Sequence, residues 1–166
     1  LLRCNLVYVP QGNTLMSGTI RDNLLLGKPD ATEEEIRAAA KTVCADDFIM
    51  GLEKGYKTEM YEGGSQLSGG QRQLVSFART LISDPKILIL DEATSSIDAK
   101  TEKELQKGLQ ELLKGRTSFI IAHRLSTIKN CDKIMFISNK GITEAGTHDE
   151  LMAKKGDYYK LCMAQK

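Results

Sequence analysis

Leu67-Ser68-Gly69-Gly70-Gln71 is the stretch whose reading decides the fold. Ser68-x-x-Gln71 has the form of a capping box, in which a serine hydroxyl takes the amide proton of the third helical residue and a glutamine side chain reaches back to the serine amide. Behind it, Leu74, Val75, Ala78, Leu81 and Ile82 recur at helical spacing and predict one apolar stripe. Glycines are poor helix formers, so a pair of them in a first turn suits a backbone that something must approach closely. A helix start with bare N–H groups attracts anions. The stretch is thus read as a helix start and as a candidate phosphate contact.

The chain next offers Pro85, which bars a helix from running on, and then Ile87-Leu88-Ile89-Leu90, which closes on Asp91-Glu92. A run without alternation predicts a parallel strand buried on both faces. Ligands of open α/β sheets lie beyond the carboxyl ends of the strands, where Asp91 and Glu92 fall. One carboxylate there can hold Mg²⁺ and the other can polarise an attacking water.

Taken together the two stretches resemble the ATP-binding cassette (ABC) family of ATPases. Leu67 to Gln71 matches that family's signature motif without a mismatch, and Ile87 to Glu92 matches its Walker B strand. Further matches run along the chain: Val9-Pro10-Gln11 resembles the Q-loop, and Ser17-Gly18-Thr19-Ile20-Arg21-Asp22-Asn23-Leu24 resembles the exporter segment that follows it. Thr58, Glu62 and Gly64 fit the exporters' X-loop, whereas Met60 and Tyr61 depart from it. Ala93 to Asp98 resembles the D-loop, with Asp98 also placed to cap the next helix. Ala122-His123-Arg124-Leu125-Ser126-Thr127 resembles the segment of the switch histidine, and Gly146 to Leu151 also matches exporters.

The resemblance implies an α/β fold: a partial P-loop NTPase (RecA-like) core with a parallel sheet, plus an ABC α-helical subdomain. It places the core strand and Q-loop in residues 1–13, the helical subdomain with the signature in 14–84, and the rest of the core in 85–166. It implies Glu92 as general base, Asp91 as the Mg²⁺ carboxylate, Gln11 as a sensor of metal and water, and His123 as the γ-phosphate switch. Ser68, Gly69, Gly70, Gln71 and Asp98 become nucleotide-side residues. ATP and Mg²⁺ are the implied cofactors. The implied partners are a transmembrane domain of the same transporter and a second nucleotide-binding domain, paired head to tail, at the cytoplasmic face of a membrane. Two other readings stand beside it: a soluble ABC-type ATPase of DNA repair or chromosome organisation, and an interaction module without catalysis. The short spacing between Gln11 and Leu67, without sustained heptads, counts against the first of these.

Composition sets the outer bounds. The chain has 166 residues, enough for one domain with a core, and a net charge of +1, which gives no electrostatic reason to expect nucleic acid as a partner. Cys4, Cys44, Cys131 and Cys162 show no C-x-x-C spacing, which argues for a reducing compartment and against zinc. No apolar run approaches the ~18 residues of a membrane span. No window fits the P-loop pattern Gly-x-x-x-x-Gly-Lys-Ser/Thr. The resemblance implies that this loop precedes the Q-loop, so the chain is expected to be a later piece of the domain, inactive in isolation.

Local signals fill in the remaining elements. Thr32-x-x-Glu35 and Thr147-x-x-Glu150 are two more capping boxes, the first opening a helix with Ile36, Ala39, Ala40 and Val43 on one face. A helix over about 100–113 buries Leu105, Leu109, Leu112 and Leu113, with Gly115 at its C′ position. Strands are expected over 117–121 and 133–138, the latter turned back by Asn139-Lys140-Gly141. His148 is expected at the surface. A truncated sheet is expected to leave an edge and apolar surface uncovered.

Overall fold

The computed structural model describes residues 5–10, 15–92 and 97–165. They form two compact units, one ending at Ile121 and the other starting at Ala122. In the first, the chain runs β1 (Leu6–Val9), β2 (Gly18–Thr19), α1 (Ile20–Leu25), α2 (Glu33–Thr42), α3 (Asp46–Met50), β3 (Glu59–Met60), α4 (Gly69–Ser83), β4 (Ile87–Asp91), α5 (Ala99–Leu113) and β5 (Thr117–Ile121). Strands β1, β4 and β5 make a parallel sheet with β4 in the middle, in a register that sets Val9 beside Leu90 and Asp91 beside Ile121. β2 and β3 form a small antiparallel pair.

The helix starts are locally encoded. Thr32 Oγ1 accepts from the Glu35 amide at 3.2 Å, and Glu35 Oε2 accepts from the Thr32 amide at 2.8 Å. Thr19 and Asp22 form a reciprocal cap of the same kind for α1. Ile36, Ala39, Ala40 and Val43 all face the core, as their spacing predicts. Asn23, at 1% exposure, latches the preceding loop: its Oδ1 accepts from the Met16 amide at 2.7 Å and its Nδ2 donates to the Met16 carbonyl at 2.9 Å.

Helix α4 is more deeply set than a single stripe requires. Besides Leu74, Val75 and Ala78, it buries Gln73, Ser76, Phe77 and Thr80, because it packs against α1, α2, α5 and β1. Arg116 then fixes the entries to β4 and β5. Its Nε donates to the Pro85 carbonyl at 3.1 Å, one guanidinium nitrogen reaches Asp84 Oδ1 at 2.9 Å, and the other reaches the Leu112 carbonyl. The side chain is 7% exposed, so these acceptors replace the water it has lost. Close approach elsewhere needs glycine: a Cβ on Gly108 in α5 would lie 2.6 Å from the Val43 carbonyl oxygen.

The sheet corrects one expectation. β4 is not buried on both faces: Leu88 and Leu90 are buried, and Ile87 and Ile89 are only half-buried. The core takes Val9, Leu88 and Leu90, with Val7 and Ile120 packed against it, all from one face. On the other face Tyr8, Phe119 and Ile121 are 53%, 54% and 53% exposed. A continuous apolar run therefore marks a strand made for two covered faces, of which the described residues cover one.

In the second unit, α6 (Leu125–Ile128), β6 (Ile134–Ser138), β7 (Gly141–Gly146), α7 (His148–Lys154) and α8 (Asp157–Ala164) surround a small core of Ile134, Leu151, Tyr158 and Cys162. The β6–β7 hairpin is antiparallel and turns at Gly141, whose φ is +93°. Thr147 and Glu150 cap α7 reciprocally, as their spacing predicts. Glu144 on β7 accepts from the amides of Asp157 and Tyr158 at 3.0 and 2.9 Å and so holds the start of α8. His148 departs from expectation: it is half-buried, with Nδ1 2.8 Å from the Tyr158 hydroxyl. Cys162 is buried, Cys44 and Cys131 are half-buried, and Cys4 lies outside the described residues. Among the described residues no helix is long and apolar enough to cross a membrane.

The uncovered sheet face makes a solution prediction. In sedimentation velocity the isolated chain is expected to associate as its concentration rises, and Phe119→Asp with Ile121→Asp is expected to shift it back towards monomer. A clean monomer at every concentration would contradict this.

Candidate functional site

The start of α4 is fixed by its own sequence. Ser68 takes the extended backbone of an N-cap, its Oγ accepts from the Gln71 amide at 3.1 Å, and Gln71 Oε1 accepts from the Ser68 amide at 3.1 Å. The lead-in is tied down as well: the Leu67 amide donates to the Gly64 carbonyl at 3.0 Å, and Arg72 donates to the Leu67 carbonyl at 2.9 Å. Gly64 has φ +69°, and a Cβ there would meet Leu15 Cδ1 at 2.9 Å, so both conformation and space require glycine. Of the two residues that depart from the X-loop pattern, Met60 is buried in the core and Tyr61 is exposed.

The capping box uses the amides of Ser68 and Gln71. It leaves those of Gly69 and Gly70 as first-turn donors with no hydrogen bond among the described residues. Two adjacent N–H groups at the positive end of a 15-residue helix suit a phosphate oxygen.

This start is joined to that of α5. Asp98 is the N-cap of α5, and its Oδ1 accepts from the Lys100 and Thr101 amides at 3.1 and 2.9 Å. The Thr101 hydroxyl, and then its amide, hold the Asp98 carboxyl below the usual carboxylate range. A Cβ on Gly70 would lie 2.3 Å from Thr101 Cγ2 and 3.4 Å from Ile97 Cγ2. The fold thus brings Ser68, Gly69, Gly70 and Gln71 to the same place as Asp98, through Thr101. Reading the sequence missed Thr101: a threonine at the third position of a capped helix looks like part of the cap alone.

The carboxylates form a second group. β1, β4 and β5 are parallel, so their carboxyl ends share one edge of the sheet. Asp91 ends β4 half-buried beside Ile121, and Glu92 follows at 4% exposure with its amide donating to the Ile121 carbonyl at 2.9 Å. The strand ladder therefore extends one residue past Asp91 and holds both acids at the edge. No hydrogen bond joins Ser68 or Gln71 to Asp91 among the described residues. His123 is an exposed residue of the second unit, two positions after β5 in sequence. Gln11, proposed as sensor and metal contact, and Ala93-Thr94-Ser95-Ser96 of the D-loop lie outside the described residues. The donor set fits nucleotide chemistry on its two sides, with carboxylates for a hard cation and backbone amides for phosphate oxygens.

Known proteins resemble the chain over most of its length. The ABC transporter family profile matches residues 1–95. Relatives from two Staphylococcus aureus strains, provisionally named multidrug export ATP-binding/permease proteins, are 52% and 51% identical over 164 residues. The match takes in 99% of this chain and 28% of each of those proteins. A solved bacterial Atm1-family ABC exporter with ATP bound superposes with a TM-score of 0.88 at 40% identity, over 98% of this chain and 28% of that one. The chain therefore spans a little over a quarter of the length of the proteins it matches.

The Asp98 cap is testable by pH. Its carboxyl is held below the ordinary 3.8, so the cap contributes fully above that pH and is lost as pH falls through the lower value of the folded chain. Asp98→Ala is expected to lower the melting temperature at neutral pH, and its difference from the wild type is expected to shrink below pH 3.8. A difference that stayed constant down the acid limb would show that the charge of Asp98 does not support α5.

Proposed function

The chain belongs to the ABC transporter family, and from that premise we propose that it is the later part of the ATP-binding and hydrolysing domain of an exporter, which couples ATP hydrolysis to transport across a membrane. The observation that carries the reading is the end of β4, where a parallel strand delivers Asp91 and buried Glu92 to the sheet edge expected of a ligand site. The exporters among its relatives support the choice of class over the soluble ATPases and over a module without catalysis.

In this reading Glu92 is the general base. Burial beside the β5 ladder limits its motion, so its carboxylate meets the attacking water in one orientation and takes up the proton. Asp91, with Gln11, would hold Mg²⁺, which supplies positive charge opposite the phosphate oxygens. His123 hydrogen-bonds the γ-phosphate and steadies the water. The Ser68 hydroxyl and the Gly69 and Gly70 amides face the nucleotide of a second domain, paired head to tail, with Gln71 fixing the cap and Asp98 carrying the D-loop. Such pairing makes an isologous interface. The phosphate cradle itself has no counterpart in this sequence, since no window carries the P-loop pattern. The division at residues 13 and 84, the transmembrane partner and a place at the cytoplasmic face of the membrane belong to the same proposal. Nothing in a net charge of +1 favours nucleic acid as a partner.

In the full-length protein Glu92→Gln is expected to leave ATP binding intact and to slow hydrolysis by roughly 100-fold or more. Normal turnover in that variant would remove Glu92 from the role. For the isolated chain, calorimetric titration with Mg-ATP is expected to show no saturable heat at millimolar nucleotide. Saturable binding would mean that the chain holds phosphates without a P-loop.

A further inference from the structure

Gly70 and Thr101 sit on different helices and meet at the candidate site. Gly70 is buried, and the space a side chain would need is already filled: Thr101 Cγ2 lies 2.3 Å from where its Cβ would be. The next atoms, Ile97 Cγ2 and Thr101 Cβ, are at 3.4 and 3.5 Å, which is ordinary contact. The overlap therefore comes from one methyl group. That methyl is not free to turn away. Thr101 is β-branched and stiff at χ1, and its amide, donating to Asp98 Oδ1 at 2.9 Å, holds its backbone in the first turn of α5. With the backbone held by the cap of α5, the methyl is aimed at α4.

We propose that Thr101 is a positioning residue for the signature segment: its γ-methyl seats the first turn of α4, sets where the Gly69 and Gly70 amides stand, and makes glycine obligatory at position 70 by packing. The catalytic consequence rests on the ATPase reading above, and the contact itself does not. Asp98, Thr101 and Gly70 form a chain in which the segment after the Walker B strand sets the height of a phosphate-facing helix start. A requirement for glycine at position 70 then comes from inside the domain, with no need for a ligand to lie against the missing side chain.

The test is a mutant cycle in the full-length protein, read by ATP turnover and by hydrogen exchange of the amides over residues 68–74. Thr101→Ser keeps the amide for Asp98 and a hydroxyl on Cβ, and removes the methyl. Gly70→Ala alone is expected to cut turnover roughly ten- to a hundredfold, since it displaces the first turn, and to speed exchange there. Thr101→Ser alone is expected to cost a few-fold, because the turn loses its seat. The pair is expected to recover, running at least about tenfold faster than Gly70→Ala and exchanging nearly as slowly as the wild type. The proposal is overturned if the two changes simply multiply, with the pair as slow as or slower than Gly70→Ala, or if Gly70→Ala alone behaves as the wild type. Should the wild-type protein hydrolyse no ATP, the ATPase reading fails. The exchange cycle still decides the contact in that case: recovery in the pair upholds it and continued fast exchange refutes it.

Discussion

A helix buried on almost every side cannot slide or turn without opening a void, and α4 is such a helix. From Gly70 to Thr80 nearly every residue is covered, by α1 and α2, by α5, or by β1. Interiors are packed at the density of organic crystals, so a shift of even one methylene is felt. Burying Leu74, Val75 and Phe77 contributes about 1.5–3 kcal/mol each. What reaches the surface is the start of the helix, whose position is inherited from everything behind it. The two amides left by the capping box are presented by a rigid body and need no ordering when a ligand arrives, which is the condition under which weak donors become useful.

The carboxylates depend on a different constraint. Parallel strands point their carboxyl ends the same way, so the β1-β4-β5 ladder alone places Val9, Asp91 and Ile121 at one edge. Arg116 holds the opposite edge. By binding the Pro85 and Leu112 carbonyls and the Asp84 carboxylate together, it fixes where the chain enters β4 and β5. A buried guanidinium with several acceptors is expensive to disturb, because losing any of them leaves charge without hydration. The edge that carries Asp91 and Glu92 is therefore aligned from its far end. The two halves of the candidate site are held by separate devices, a capped helix and a clamped sheet.

Much of the fold was legible. Three capping boxes, at Ser68, Thr32 and Thr147, formed as their spacing predicts, because a serine or threonine hydroxyl and the amide three residues on are neighbours in any helix start. The strands at 87–91 and 117–121 and the hairpin at Gly141 were equally plain, from apolar runs and turn residues. What the run at Ile87 to Leu90 could not say was whether both faces would find cover. That depends on which helices pack on the sheet, and here Tyr8, Phe119 and Ile121 remain exposed. His148 is another such case. Its spacing marks it only as the first residue of a helix, and its bond to Tyr158 depends on how α8 returns.

The sequence alone determined the identities at the candidate site and the local conformations that carry them: Asp91 and Glu92 at a strand end, Ser68 and Gln71 closing a cap, Asp98 opening the next helix. Each is a relation between residues within a few positions of one another, and backbone geometry makes such relations nearly independent of context. The tertiary structure decided the reason for glycine at position 70. On paper that residue looked like room left for a ligand, and in the fold it is room taken by the methyl of Thr101, from the helix that follows β4. No local pattern could report it, because steric exclusion acts through space and the two residues meet only when α4 and α5 are packed.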